Sequence, residues 1–201
     1  MNKILVTGTD SGFGRYLVEK FMSEGYDIFP HHGRKDYDLR NVNEIEKLAK
    51  DAVNGGVTIL VNNAGLLCPG IPLQQYTSES IIEMIDVNLK SPILLTYFML
   101  PYLTNIININ SMVSLQVKSP RTIYSATKSG LRGFSNSLRA ELKDIKILDV
   151  YPTNIETIPG KKNSMNVYMV VDEIYNAFKN NVEELILDGI INKKIKTSSL
   201  E

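Results

Sequence analysis

Short runs of β-branched and leucine residues recur along this chain and alternate with longer stretches whose apolar residues fall three and four apart. Residues 4–6, 57–61, 106–109, 147–150 and 184–187 make the short runs, and residues 27–31 read as a further strand. After the first run, residues 13–24 carry Phe13, Leu17, Val18, Phe21 and Met22 at helical spacing, and Gly25 follows as a left-handed stop. Residues 41–53 repeat the pattern with Val42, Ile45, Leu48, Ala49 and Ala52. Helices are also expected over 80–103, 124–142 and 172–180, the first capped by Thr77 or Ser78 and kinked or interrupted at Pro92. The run at 57–61 has no polar alternation, as a strand covered on both faces should. Strand and helix in this rhythm predict one α/β domain, a doubly wound parallel sheet with helices on both faces. Such sheets hold ligands beyond the carboxyl ends of their strands. Chemistry is therefore expected in the loops after residues 6, 31, 61, 109 and 150.

Composition narrows the function. The 201 residues carry 22 Lys and Arg against 22 Asp and Glu, so a broad electrostatic grip on nucleic acid or an anionic membrane is not expected. The single cysteine, Cys68, forms no intramolecular disulfide and suits a reducing compartment; it reads as a plain loop thiol. Residues 92–103 form the most apolar stretch but fall short of the ~20 residues a membrane span needs. With no targeting segment visible, a cytoplasmic protein is expected. The domain is expected to occupy residues 1–191, with 192–201 a polar tail in which Lys193, Lys194 and Lys196 are solvated.

The first strand runs into Thr7-Gly8-Thr9-Asp10-Ser11-Gly12-Phe13-Gly14. Glycines here permit a tight turn and let phosphate approach the main chain, while the helix start offers unpaired N–H groups to a pyrophosphate. The spacing matches neither Gly-x-Gly-x-x-Gly nor a P-loop, and taken alone it also fits an ordinary glycine-rich turn. Tyr124 and Lys128 lie four apart at the start of a helix and so share a face. A free tyrosine titrates near pH 10; lowering that by about three units takes roughly 4 kcal/mol, which an adjacent ammonium can help supply. Alone, the pair is better read as a half-buried tyrosine beside a solvated lysine.

Taken together, the motifs resemble the short-chain dehydrogenase/reductase family from residue 3 to about 190, and with it a Rossmann-like fold. Residues 7–14 match its Thr-Gly-x-x-x-Gly-x-Gly, and Asn62-Asn63-Ala64-Gly65 its Asn-Asn-Ala-Gly. Asn88 matches its catalytic asparagine, and Ser111 lies thirteen residues before Tyr124, the usual separation. Val150-Tyr151-Pro152 followed by Thr157 matches the segment that covers the nicotinamide. The resemblance implies hydride transfer between NADP(H) or NAD(H) and a carbonyl or secondary alcohol. Tyr124 would be the general acid and base, Lys128 would depress its pKa and bind the nicotinamide ribose, Ser111 would hold the substrate oxygen, and Asn88 would hold a water linking Lys128 to solvent. Cofactor contacts would come from Gly8, Asp10, Ser11, Gly12, Phe13, Gly14, Arg34, Asp38, Leu39, Asn62, Ala64, Gly65, Tyr124, Lys128, Pro152 and Thr157. A homodimer or homotetramer through the helices at 80–103 and 124–142 is also implied.

The chain departs from the pattern in two places. The family's helix and third strand are compressed into residues 34–39, and only residues 154–171 stand where relatives insert a substrate lid, which implies an open pocket. At the end of the second strand, where an NAD-selective member places a carboxylate, stands His32, followed by Gly33-Arg34-Lys35; Arg34 beside a missing acid favours NADP(H) through its 2′-phosphate, with Asp36 opposing. His31 and His32 have no carboxylate or cysteine at ligand spacing, so no metal is expected. Met112 and Met165 are candidates to line a lipophilic pocket. The competing function is a dinucleotide-binding sensor with little or no turnover.

Overall fold

The computed structural model describes residues 2–10, 12–67, 70–116, 119–156, 164–189 and 193–196. Its elements run β1 (Lys3–Thr7), α1 (Phe13–Ser23), β2 (Asp27–His31), α2 (Val42–Asn54), β3 (Val57–Asn62), α3 (Ser78–Ile85), α4 (Ser91–Met99), β4 (Asn105–Ile109), α5 (Thr122–Glu141), β5 (Lys146–Pro152), β6 (Ile155–Glu156), β7 (Met165–Asn166), α6 (Val167–Lys179), β8 (Glu184–Leu187) and β9 (Lys193–Lys196). The main sheet has the order β2-β1-β3-β4-β5-β8-β9. Its first six strands are parallel, and β9 is antiparallel to β8.

Two cores follow from the two-residue period of a strand, which sends neighbours to opposite faces. On one face Ile4, Val6, Ile59, Val61 and Ile107 pack with Leu17 and Phe21 of α1 and Val171 and Ile174 of α6. On the other, Leu5, Leu60 and Ile106 pack with Ile45 and Leu48 of α2, Leu95 and Met99 of α4, and Leu138 of α5. Both faces are covered, which is why the strands read as continuous apolar runs.

The structure bears out the compression after β2 and the break near Pro92, and it changes the expected tail and the start of the last helix. The residues after β2 form a three-residue 3-10 turn, Gly33–Lys35, and lead directly into α2. No third strand flanks β2, which becomes the outer edge of the sheet among the described residues. Residues 193–196 are not a tail but the strand β9, in register with β8 from Glu184↔Lys196 to Leu187↔Lys193. The last helix begins at Val167 rather than at Asp172, because the Asn166 side chain accepts from the backbone N–H of Tyr168 and Met169 and caps it there. Residues 80–103 are interrupted by a wide π-turn, Asp86–Lys90, ahead of Pro92, which sits in the first turn of α4. Proline has no N–H to return to the carbonyl four residues back, and the wide turn absorbs that loss.

A buried polar seam fixes α5 on the sheet. Asn62 Nδ2 donates to Asn108 Oδ1 at 2.8 Å, and Asn108 Nδ2 to Ser135 Oγ at 2.9 Å. Ser135 Oγ donates to Asp149 Oδ1 at 3.0 Å, and Arg139 donates to Asp149 Oδ2 at 2.6 Å and to the Ile147 and Glu183 carbonyls. Burial pushes the Asp149 carboxyl up to about 6, against the pull of Arg139. Its proton is thus held above the ordinary carboxylate range, so the group's contribution to stability is full below pH ~4 and is lost as pH rises through about 6. Arg139→Ala leaves a buried carboxylate uncompensated and should cost about 3–5 kcal/mol at pH 7. Urea denaturation should show that deficit shrinking at pH 5, where Asp149 takes up a proton.

Candidate functional site

The order of the sheet reverses around β1, and there a cleft of about 540 Å³ opens beyond the strand ends. Gly8, Asp10, Gly12 and Phe13 line it from the first loop, Arg34, Asp38 and Leu39 from the second, and Ala64 and Gly65 from the third. Ser111, Tyr124, Lys128 and Pro152 line its far end.

The glycine loop is built for close approach. Gly8 (φ +71°) and Gly12 (φ +61°) take the left-handed conformation. A Cβ on Gly8 would lie 3.0 Å from Ala64 Cα, and one on Gly14 only 2.0 Å from the Gly8 carbonyl oxygen. Gly14 therefore serves the packing of α1 on the loop and does not line the cleft. Asn63 laces the loop to β3: its Nδ2 donates to the Thr7 and Gly8 carbonyls at 2.8 and 3.0 Å. Thr7 Oγ1 in return accepts from the backbone N–H of Asn63 and Ala64.

His31, a bland strand residue by sequence, turns out to hold this loop. Its Nδ1 accepts from the Gly8 N–H at 3.2 Å, and its Nε2 lies 2.8 Å from the Tyr37 carbonyl. Accepting at one nitrogen and donating at the other requires the neutral ring. Burial supplies it by pushing the pKa down. No carboxylate stands at ligand spacing from His32 in sequence, yet its Nδ1 sits 3.0 Å from Asp10 Oδ1, because the first loop folds across the end of β2.

At the second loop the Arg34 guanidinium pairs with Glu83 of α3. Glu83 also accepts from Arg40 NH1 at 2.9 Å. Arg40 grips Asp38 through Nε at 2.8 Å and through NH2, and holds its carboxyl down at about 2.

The far end is organised by α5 and the end of β4. Tyr124 is half-buried, and the ammonium of Lys128, one turn on, lies 5.9 Å from its ring centroid. Lys128 is buried and donates to the Ile109 carbonyl at 2.8 Å. Burial pulls its pKa to about 8. Ser111 opens the 3-10 turn Met112–Ser114, with its Oγ accepting from the Val113 N–H. Asn110, which the sequence did not single out, lines the cleft beside it: Oδ1 accepts from the Ser111 N–H at 2.9 Å, while the buried Nδ2 has no partner among the described residues.

Some expected site residues lie elsewhere. Asn62 is buried in the seam with Asn108. Asn88 projects from the π-turn onto the loop after β3, with Oδ1 accepting from the Leu66 N–H at 2.7 Å and Nδ2 donating to the Leu66 carbonyl at 3.0 Å. Met112 is buried and Met165 packs on the core, so neither lines the cleft. Ser11, Thr157 and Cys68 fall outside the described residues.

The family model described as short chain dehydrogenase matches residues 34–166. A serine 3-dehydrogenase of Agrobacterium fabrum is 27% identical over 203 aligned positions, covering 85% of this chain and 82% of that enzyme. The NADP-dependent 3-hydroxy acid dehydrogenase YdfG of Salmonella typhi is 31% identical over 175, covering 74% and 71%. Among solved structures, an alcohol dehydrogenase of Thermococcus sibiricus, complexed with 5-hydroxy-NADP, superposes with a TM-score of 0.84 at 22% identity over 93% of this chain and 96% of that one.

The buried ammonium has a measurable cost. A folded-state pKa of about 8 against an ordinary 10.5 corresponds to about 3 kcal/mol below pH 8. The group's contribution is favourable above pH ~10.5 and is lost as pH falls through about 8. Lys128→Met should therefore stabilise the ligand-free protein by up to about 3 kcal/mol at pH 7. In urea titrations that gain should vanish towards pH 10.5.

Proposed function

The chain belongs to the short-chain dehydrogenase family of oxidoreductases, and on that footing we propose that it interconverts a carbonyl and an alcohol with NADP(H), using Tyr124 as general acid and base. One observation carries the reading: the cleft that begins at the glycine loop ends at Ser111, Tyr124 and Lys128. The cleft suits a dinucleotide. Its first loop leaves no room for a Cβ on Gly8, and its far end holds a buried donor, Asn110 Nδ2, with no partner among the described residues. The bound nicotinamide supplies or accepts the hydride.

The residues divide the remaining work. In the reductive direction the Tyr124 hydroxyl gives its proton to the carbonyl oxygen as negative charge develops there. The Lys128 ammonium beside the ring favours the resulting phenolate. Ser111 Oγ holds the same oxygen and stabilises its charge. Asn88, engaged at both amide atoms by Leu66, fixes the loop that carries Ala64 and Gly65 rather than entering the cleft. Arg34 lies at the adenosine end, where a guanidinium suits a 2′-phosphate.

The substrate class to test first is a small 3-hydroxy acid or its 3-oxo counterpart. Two relatives are named for 3-hydroxy acids or for serine, itself a 3-hydroxy acid, which supports that choice. Exposed Ile82 and Ile85 on α3 and Tyr97 on α4 support assembly of two or four copies through the helical face. No described helix is long and apolar enough to cross a membrane.

NADPH oxidation with 3-oxo acids should be readily measurable and should fall about 10²- to 10⁴-fold in Tyr124→Phe, with NADPH binding retained. No turnover across 3-oxo acids, ketones and aldehydes, with binding intact, would instead favour a sensor. A thermal shift larger with NADPH than with NADH, equalised by Arg34→Ala, is expected for the 2′-phosphate contact; the reverse order would refute it.

A further inference from the structure

We propose that Glu83 is a positioning residue for cofactor choice: from α3 it holds the Arg34 guanidinium at the adenosine end of the cleft, ready for a 2′-phosphate. This rests on the reading that Arg34 meets that phosphate. Arg34 stands on a three-residue turn with its side chain 57% exposed, and among the described residues no strand lies beyond β2 to brace it. A long side chain in that setting samples many rotamers, and ordering it on binding costs affinity. Glu83 removes much of that freedom in advance. Arg34 lines the cleft and Glu83 does not, so the carboxylate holds the guanidinium from the protein side. The other N–H groups of Arg34 have no acceptor among the described residues and remain for a ligand.

Glu83 is itself held. Arg40 NH1 donates to the same Oε1 at 2.9 Å, and Arg40 is fixed in turn by Asp38, whose backbone N–H donates to Glu44 Oε2 at 2.6 Å. Lys90 Nζ donates to the Arg40 carbonyl at 2.9 Å, tying the π-turn to the same loop. The carboxylate is thus a fixed point shared by two guanidiniums, 49 residues from Arg34 in sequence. Its negative charge acts the other way, repelling a phosphate. In a cluster this exposed that repulsion is screened, and Arg40 offsets it, so the orienting effect is the larger.

The opposed signs make a clean test. Dissociation constants for NADPH and NADH, measured by fluorescence titration of the purified chain, are compared for wild type, Arg34→Ala, Glu83→Gln, Glu83→Asp and the Arg34→Ala/Glu83→Gln double variant. Glu83→Gln should weaken NADPH about tenfold, the loss of roughly one charge-assisted hydrogen bond, and leave NADH within about twofold. Glu83→Asp should recover part of the loss, and the double variant should bind NADPH no worse than Arg34→Ala. Unchanged or tighter NADPH binding in both Glu83 variants overturns the proposal, as does equal weakening of the two cofactors. If Arg34→Ala leaves the NADPH-to-NADH ratio unchanged, the 2′-phosphate reading falls and this inference with it. If Arg34→Ala shifts the ratio and Glu83→Gln does not, only the inference falls.

Discussion

The pairing of Arg139 with the buried Asp149 carboxylate is the constraint on which the site rests. It locks the C-terminal half of α5 to β5, while Ser135 and Asn108 extend the lock across β4 and Asn62 carries it to β3. The same helix carries Tyr124 and Lys128 at its other end. A slip of α5 along the sheet would strand Asp149 without its cation and move both side chains out of the cleft. Hydrophobic contact alone tolerates sliding; directed polar bonds in a low dielectric do not. Stability and chemical geometry are here set by one interaction.

The cleft shows a second economy. Two groups that ordinarily carry or readily acquire positive charge are kept from doing so freely by burial: His31 below the glycine loop and Lys128 beside Tyr124. The histidine gains by staying neutral, since only then does it accept from the Gly8 N–H and donate to the Tyr37 carbonyl. The lysine is destabilised as an ammonium by its burial, and it donates to the Ile109 carbonyl. Strained electrostatics of this kind gather at sites of chemistry and are tolerated because the surrounding sheet is stable.

Much of this was legible in the sequence. The β-branched runs and residues 27–31 gave six strands, and the glycine loop, Asn63, Ser111, Tyr124 and Lys128 fell at strand ends and on the start of α5 as the resemblance implied. What escaped was set by distant partners. Lys193, Lys194 and Lys196 offer a single apolar residue, Ile195, between them, and only the neighbouring β8 makes a strand of that segment. Asn88 on the π-turn is engaged by Leu66, 22 residues away, a partner no local spacing names. His31 depends on a carbonyl from a turn whose path no local rule dictates, and Glu83 is tied to Arg34 through space alone. The third strand of the family left a gap in the sequence that local pattern could not fill, and the structure closes it with a turn and a charge network.

That closure leaves one side of β2 unpaired among the described residues. The His31 carbonyl faces β1, where it accepts from Gly8, so the backbone of the preceding residue, Pro30, faces away from the sheet. Proline there withdraws an amide donor from the open rim, just where a stray chain would need one to add itself as another strand. Growth of the sheet from molecule to molecule along that edge is thereby discouraged.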